Sequence, residues 1–339
     1  MKKVAAHNLF FIGIGGIGMS GLAKYYRHLG CEVAGYDRVD SSITHTLNEL
    51  GCNLTFNEDI ETQPNIFQDK ENTLVVYTPA VPKSNTWFQF FSNNGYQMMK
   101  RSELLGAVTQ DTICLAVAGT HGKTTTSCIL AHLLHECEVP FVGFLGGISE
   151  NFGSNFVLTG TKYSVVEADE FDRSFLRLHP KMASITSMDA DQLDIYGSKA
   201  ELQKAFGEFK ALLRSAGKLF IREGLPIAGT TFGFDKSATV RIENICVEDG
   251  AYRFDWVTPN ETYKGVRFNQ PGRHNLLNAL AALSMALEIG CTPEQLISAL
   301  SSYKGVERRF SYQINHPERI YIDDYAHHPT EIAAVYGAL

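Results

Sequence analysis

The sequence has little that would indicate a secreted, membrane or nucleic-acid-binding protein. Its seven cysteines in 339 residues are scattered and never spaced C-x-x-C, so neither a disulfide framework nor a zinc site is indicated. Lys+Arg 30 against Asp+Glu 37 gives a net charge of −7, which argues against a broad nucleic-acid surface. No apolar run approaches the length of a membrane span. We therefore expect a cytoplasmic protein without nucleic-acid or membrane partners, and a homodimer is left open.

Hydrophobic content of 44% and charged content of 20% are those of an ordinary globular protein, long enough for two or three domains. Short apolar runs alternate with helical patterns: LFFIGIG (9–15), EVAGYD (32–37) and TLVVYTPAV (73–81) have the composition of buried strands. A second series begins near residue 112, and an apolar helix is predicted over 274–289. This alternation is typical of parallel, doubly wound α/β sheets.

The stretch TICLAVAGTHGKTTT predicts a strand, a glycine-bracketed loop and a helix. Gly119 and Gly122 let backbone N–H groups turn toward phosphate oxygens, Lys123 can reach the β- and γ-phosphates, and Thr124 offers a hydroxyl to Mg²⁺. Val117 stands where the strict P-loop pattern has its first glycine, so this is a shortened variant. The sequence therefore predicts a nucleoside triphosphate site.

A second glycine-rich loop, GIGGIG, starts at Gly13 between a predicted strand and a predicted helix, and Asp37 ends the next strand. This is the dinucleotide-binding fingerprint, for which NAD is the usual ligand. The physical requirement is narrower, namely a pyrophosphate at a helix N-terminus, and a UDP-sugar carries one too. The candidate binding residues are Gly15, Gly16, Ile17, Gly18 and Asp37.

Two further patterns carry polar groups. VVEADEFDRS places several acids at the end of a buried strand, where they could hold Mg²⁺ or lie in a solvated loop, and MDADQLD (188–194) is equally ambiguous. PGRHNLLNALAA opens a helix with His274, Asn275 and Asn278, which could cap that helix or meet a base.

These patterns, in this order and followed by RRF (308–310) and DDYAHHPTE (323–331), resemble the Mur ligases, the ATP-dependent ligases of peptidoglycan synthesis. The resemblance spans the chain and implies an α/β protein of three domains. A Rossmann-like domain for the UDP-sugar would occupy 1–106, a central P-loop domain for ATP 107–316, and the start of a truncated C-terminal Rossmann-like domain 317–339.

The motifs are most similar to those of the family member that joins L-alanine to the lactyl carboxylate of UDP-N-acetylmuramate. The resemblance implies that ATP, with Mg²⁺, phosphorylates this carboxylate and that the amine of L-alanine attacks the acyl phosphate. Three alternatives are open: the related ligase that recycles a murein tripeptide, an NAD-dependent oxidoreductase, and a non-catalytic nucleotide-binding module.

The resemblance also implies roles for individual residues. Lys123, Glu167 and Arg309 would be catalytic, and Thr124, Glu167 and Gln192 would hold metal. The residues implied to contact ATP are Gly119, Thr120, His121, Gly122, Lys123, Thr124, Thr125, His274, Asn275, Asn278 and Asp324. Gln192 is a departure, because the family usually has a histidine there, and an amide oxygen is a weaker metal ligand. The family's last domain also continues beyond Leu339, so we expect a fragment that does not ligate alone.

Overall fold

The computed structural model describes residues 7–62, 64–189, 196, 198–213, 217–316 and 318–338. The chain divides into two compact units, Met1–Asp111 and Thr112–Leu339. Both are α/β units built on largely parallel sheets, which confirms the predicted fold class. The three-domain division remains a prediction.

The first unit is a parallel sheet of order β3-β2-β1-β4-β5 with helices between successive strands. Its strands are β1 Asn8–Ile12, β2 Glu32–Tyr36, β3 Asn53–Thr55, β4 Thr73–Tyr77 and β5 Gln97–Lys100. Its helices are α1 Ile17–His28, α2 Ser42–Glu49, α3 Thr86–Asn93 and α4 Arg101–Gln110. Phe10 of β1 packs on Trp87 and Phe91 of α3, with ring centroids 4.9 and 4.8 Å apart. One part of the core thus lies between the sheet and α3, and β1 is buried on both faces. The loop after β1 lies at the strands' carboxyl edge.

The second unit contains a larger sheet and a separate hairpin. Its strands are β6 Ile113–Ala118, β7 Phe141–Ser149, β8 Ser154–Leu158, β9 Tyr163–Ala168, β10 Pro180–Ile185, β11 Lys218–Arg222, β12 Thr230–Gly233, β13 Val240–Glu248, β14 Ala251–Val257, β15 Thr262–Phe268, β16 Ser311–His316 and β17 Arg319–Asp323. Its helices are α5 Lys123–Glu136, α6 Lys199–Ala211, α7 Arg273–Glu288, α8 Pro293–Ser301 and α9 Pro329–Tyr336.

The sheet order is β15-β14-β13-β12-β11-β10-β6-β9-β7-β8, and β16 pairs with β17. The strands from β13 through β6 to β7 are parallel, whereas β13-β14-β15 and β7-β8 are antiparallel. Helices α5 and α7 are apolar and almost fully buried, and their side chains form one core with the sheet. Because β9, β6 and β10 are parallel neighbours, the segments that follow them meet at one edge.

Candidate functional site

The loop between β6 and α5 needs glycine at two positions. Gly119 has φ +135° and Gly122 has φ +82°, backbone conformations that L side chains rarely adopt. A Cβ at Gly119 would lie 2.9 Å from the backbone nitrogen of Ser187, and one at Gly122 would collide with the amide of Asn278. Gly122 is also the N-cap of α5, so the loop ends at the positive end of a 14-residue helix. The loop therefore presents a helix N-terminus closely packed against β10 and α7.

Lys123 is paired with a buried carboxylate. Its Nζ donates to the Glu170 oxygens at 2.8 and 3.1 Å and to the Gly119 carbonyl at 2.7 Å. The Glu170 side chain is 0% exposed and that of Lys123 is 11% exposed. Burial acts to lower the pKa of Lys123, but the charge of Glu170, aided by Glu167 and Asp169, outweighs it and raises that pKa. The lysine is therefore held as a cation at the mouth of the loop.

Thr124 and Glu167 bring two oxygen ligands together. Thr124 Oγ1 donates to Glu167 Oε2 at 2.9 Å. Burial raises the pKa of Glu167 above its usual value, although the charge of the nearby Lys123 acts in the opposite direction. A Cβ at Gly146 of β7 would collide with the Glu167 carboxylate, so glycine leaves room for this side chain. Hydroxyl and carboxylate oxygens suit Mg²⁺, so this pair fits the predicted metal. Gln192 lies outside the described residues, and within the described part no three His, Cys, Asp or Glu side chains form a metal cluster.

The start of α7 faces the same loop. Asn275 Nδ2 donates to the Pro271 carbonyl at 2.7 Å, and Asn278 Nδ2 donates to Asn275 Oδ1 at 3.2 Å. Neither bond caps the helix, because its N-cap is Gly272 and has no side-chain cap hydrogen bond. Both asparagines line the cavity described below, which favours the ligand-binding interpretation. Burial lowers the pKa of His274, which favours a neutral imidazole.

The segments around β16 and β17 contribute Arg309 and Asp324. Asp324 accepts hydrogen bonds from the backbone N–H groups of Phe310 and Ala326, each at 2.7 Å. The Arg309 guanidinium lies 5.3 Å from the centre of the Tyr325 ring. Asp324 therefore ties the segment just before β16, which contains Arg309, to the turn that follows β17.

A cavity of about 270 Å³ joins these elements. Of the predicted site residues, those that line it are Thr120, His121, Gly122, Lys123, Thr124, Thr125, Glu167, His274, Asn275, Asn278, Arg309 and Asp324. Gly119 does not line the cavity, because it lies on the side of the loop that packs against Thr186 and Ser187. Elements separated by as much as 210 residues thus converge on one volume with a lysine, an arginine and a helix N-terminus, a combination suited to a polyphosphate.

The glycine loop of the first unit leads into a second exposed helix N-terminus, that of α1. Gly16 is the N-cap of α1, which begins at Ile17, and Asp37 Oδ2 accepts from Gly15 N at 2.8 Å. A Cβ at Gly18 would lie 2.8 Å from a guanidinium nitrogen of Arg101. Asp37 therefore fixes the loop's shape, and Arg101 adds a positive charge beside it.

Comparison with known proteins identifies the family. Residues 8–112 match the model of the Mur ligase family catalytic domain, and residues 117–286 match that of the Mur ligase middle domain. The UDP-N-acetylmuramate–L-alanine ligase of Christiangramia forsetii is 53% identical over 333 residues, 98% of this chain and 74% of that protein. The chain belongs to the Mur ligase family.

Other Mur ligases are similar along nearly the whole chain. The UDP-N-acetylmuramate–L-alanine ligase of Porphyromonas gingivalis strain W83 is 43% identical over 98% of this chain and 74% of its own. The crystal structure of UDP-N-acetylmuramate–alanine ligase from Thermotoga maritima superposes with a TM-score of 0.84 at 28% identity, covering 98% of this chain and 77% of that one. A murein peptide ligase from Psychrobacter arcticus gives 0.80 at 26% identity, covering 97% and 75%.

Several residues that line this cavity were not predicted as site residues from the sequence. The cavity is also lined by Thr186, Ser187, Asp189, Arg222, Phe232, Leu277, Phe310, His327, Glu331, Ala334 and Val335. Thr186 and Ser187 directly follow β10 and precede the polar stretch 188–194 that the sequence did single out, so their position was a usable signal. Glu331 belongs to the stretch DDYAHHPTE, which carries part of the family resemblance, but no local pattern indicated its contact with the loop, since it lies in α9, far from the loop in sequence. Among the helices of the described residues, none is both long and apolar enough to cross a membrane.

Proposed function

We propose that this chain provides the UDP-sugar and ATP sites of an ATP-dependent ligase that joins L-alanine to the lactyl carboxylate of UDP-N-acetylmuramate through an acyl phosphate. The observation that carries the proposal is the meeting of the nucleotide loop, the Thr124–Glu167 pair and Arg309 at one cavity. The relatives named for this reaction, at 53% and 43% identity, support the choice of substrates. The proposal includes a cytoplasmic location.

The first step would transfer the γ-phosphate of ATP to the lactyl carboxylate. A carboxylate oxygen bonds to the γ-phosphorus as the bond to the β-phosphate oxygen breaks, and ADP leaves. Lys123 and the N-terminus of α5 would hold the triphosphate, while Arg309 would offset the charge of two approaching anions. When bound, Mg²⁺ would be held by Thr124, Glu167 and Gln192 and would neutralise phosphate charge.

The second step would form the amide. The uncharged amine of L-alanine attacks the acyl carbon, the C–O bond to phosphate breaks, and the proton lost by the amine passes to the departing phosphate. No described side chain is needed as a nucleophile, so the chain's contribution would be positioning and charge neutralisation. The glycine loop of the first unit, its shape fixed by Asp37 and with Arg101 beside it, would receive the UDP diphosphate.

Calorimetric titration of the chain with UDP-N-acetylmuramate, with ATP and with NAD⁺ tests this proposal. We expect saturable binding of the UDP-sugar and of ATP, and no binding of NAD⁺. Saturable NAD⁺ binding without a response to the UDP-sugar would favour the oxidoreductase alternative and refute the ligase.

A further inference from the structure

His121, at the tip of the nucleotide loop, is held on the side facing β10 by backbone contacts. Its N–H donates to Ser187 Oγ at 2.7 Å, and its carbonyl accepts from the Thr186 hydroxyl. These bonds hold the peptide groups on either side of His121. They leave the imidazole to be held by something else.

The imidazole is held by Glu331 of α9. His121 Nδ1 and Glu331 Oε1 are 3.1 Å apart, and because an ionised carboxylate can only accept, Nδ1 carries the proton. The second Glu331 oxygen accepts from the His327 N–H at 3.2 Å. The two side chains are 16% and 18% exposed. Glu331 thus joins α9 to the nucleotide loop across 210 residues of sequence.

The electrostatics agree with this geometry. The hydrogen bond from His121, helped by the His327 N–H and the charge of Arg309, lowers the pKa of Glu331 to about 2. Glu331 is therefore ionised at neutral pH. On the other side of the ring, Asp189 Oδ2 lies 3.6 Å from Nε2 of His121, and the ring of His328 lies 5.3 Å away, centre to centre.

We propose that Glu331 is a positioning residue that fixes His121 and thereby holds the nucleotide loop in its ATP-binding shape. The proposal rests on the proposed function for the identity of the nucleotide. The loop contains Gly119 and Gly122, which allow its peptide groups many orientations. A charged anchor at His121, between them, reduces that freedom before ATP arrives, and preorganisation of this kind increases affinity. The conformation of the nucleotide loop then depends on the position of α9.

Glu331→Ala, Glu331→Gln and His121→Ala test the proposal in the full chain. In Glu331→Ala we expect faster hydrogen exchange of the amides of the 119–124 loop without ligand, and about tenfold weaker binding of Mg²⁺–ATP by calorimetry. Glu331→Gln keeps an acceptor for Nδ1 but not the charge, so its loop exchange rate and its ATP affinity should lie between those of Glu331→Ala and wild type. Combining Glu331→Ala with His121→Ala should add little to the loss in His121→Ala alone, because the two residues form one contact.

Glu318→Ala is the matched control, since Glu318 is an exposed carboxylate in the turn between β16 and β17. It should change neither the loop exchange nor ATP affinity. Unchanged loop exchange and unchanged ATP affinity in a folded Glu331→Ala variant would overturn the proposal, as would fully additive losses. Faster exchange across the whole second unit would also overturn it, because Glu331 would then be a general stabilising residue. The UDP-sugar titration of wild type tests the proposed function separately.

Discussion

Removal of the Lys123 ammonium tests both the stability of the second unit and its nucleotide binding. Lys123 Nζ lies 2.8 Å from a Glu170 oxygen, and the Glu170 side chain is 0% exposed. In Lys123→Ala the carboxylate stays buried and loses its counter-ion. Breaking a buried pair in this way typically costs about 3–5 kcal/mol. We expect the free energy of unfolding of the second unit to fall by roughly that amount.

The loss of unfolding free energy in Lys123→Ala should increase with pH. Burial raises the pKa of Glu170, and without Lys123 its main opposing charge is gone. A carboxyl group whose pKa is higher in the folded than in the unfolded state favours folding when protonated, and this contribution is lost as pH rises through the folded-state pKa. The difference in stability between wild type and Lys123→Ala should therefore be larger at pH 8 than at pH 6.

A double variant separates the structural and functional roles of the lysine. Lys123→Met with Glu170→Gln removes both charges, so it should recover most of the stability but none of the ATP affinity. Urea denaturation can follow Trp256 fluorescence, because the chain has two tryptophans and Trp87→Phe removes the one in the first unit. Calorimetry gives the ATP affinity. UDP-N-acetylmuramate affinity should be unchanged, since its proposed site lies in the first unit.

Lys218→Ala is a matched control, because the Lys218–Glu288 pair has side chains 52% and 32% exposed. Such surface pairs contribute about 0–1 kcal/mol, so this variant should be near wild type. Two results would refute the reasoning. Lys123→Ala as stable as wild type at pH 8 would show that no unpaired buried charge is left. Wild-type ATP affinity in the double variant would show that the lysine does not contact the triphosphate.

Three further outcomes are expected. Gly16→Val should fold, since a Cβ at this position meets nothing nearer than 3.4 Å. By calorimetry it should bind UDP-N-acetylmuramate about tenfold or more weakly and bind ATP as wild type does. Retained affinity for the UDP-sugar would exclude this loop as the UDP site. Gly119→Ala should lower the free energy of unfolding, measured with urea, by about 2–4 kcal/mol, because Gly119 has a φ of +135° and its Cβ would lie 2.9 Å from the Ser187 nitrogen. Gly207→Ala, in open space on α6, should raise the free energy of unfolding by up to about 1 kcal/mol. Equal effects of the two substitutions would contradict this. Burial lowers the pKa of His132, so the unfolded chain takes up the proton first and stability should fall as pH drops below 6.5; an NMR titration with a pKa at or above 6.5 would contradict this.

The nucleotide loop could be predicted from the sequence because its determinants are local. Gly119 and Gly122 adopt their positive φ values within a few residues of the lysine, and the helix that supplies the positive end starts at Lys123. The apolar runs likewise predicted β1, β2 and β4 and the apolar helix α7, since burial on both faces leaves a continuous hydrophobic pattern. The order of the motifs along the chain then carried the family resemblance.

The partner of each charge was decided by tertiary structure. The sequence presents Glu167, Asp169, Glu170 and Asp172 as one acidic group, but only Glu170 turns inward to meet Lys123, while Glu167 meets Thr124. Glu167 lies in β9, whereas Glu170 lies beyond the end of that strand, directly before a short 3₁₀ helix, so the two carboxylates reach different partners. A one-dimensional pattern does not carry such directions.

The His121–Glu331 contact is the clearest case of what the fold alone decides. Its members are 210 residues apart, and neither belongs to a periodic pattern that would indicate the other. They meet because β6 ends at the same edge of the sheet toward which the β16–β17 hairpin delivers α9. Local sequence determines which residues can bind phosphate, whereas the carboxylate that orients the loop is selected by long-range packing, because the energy of an ion pair depends on distance and burial rather than on sequence separation.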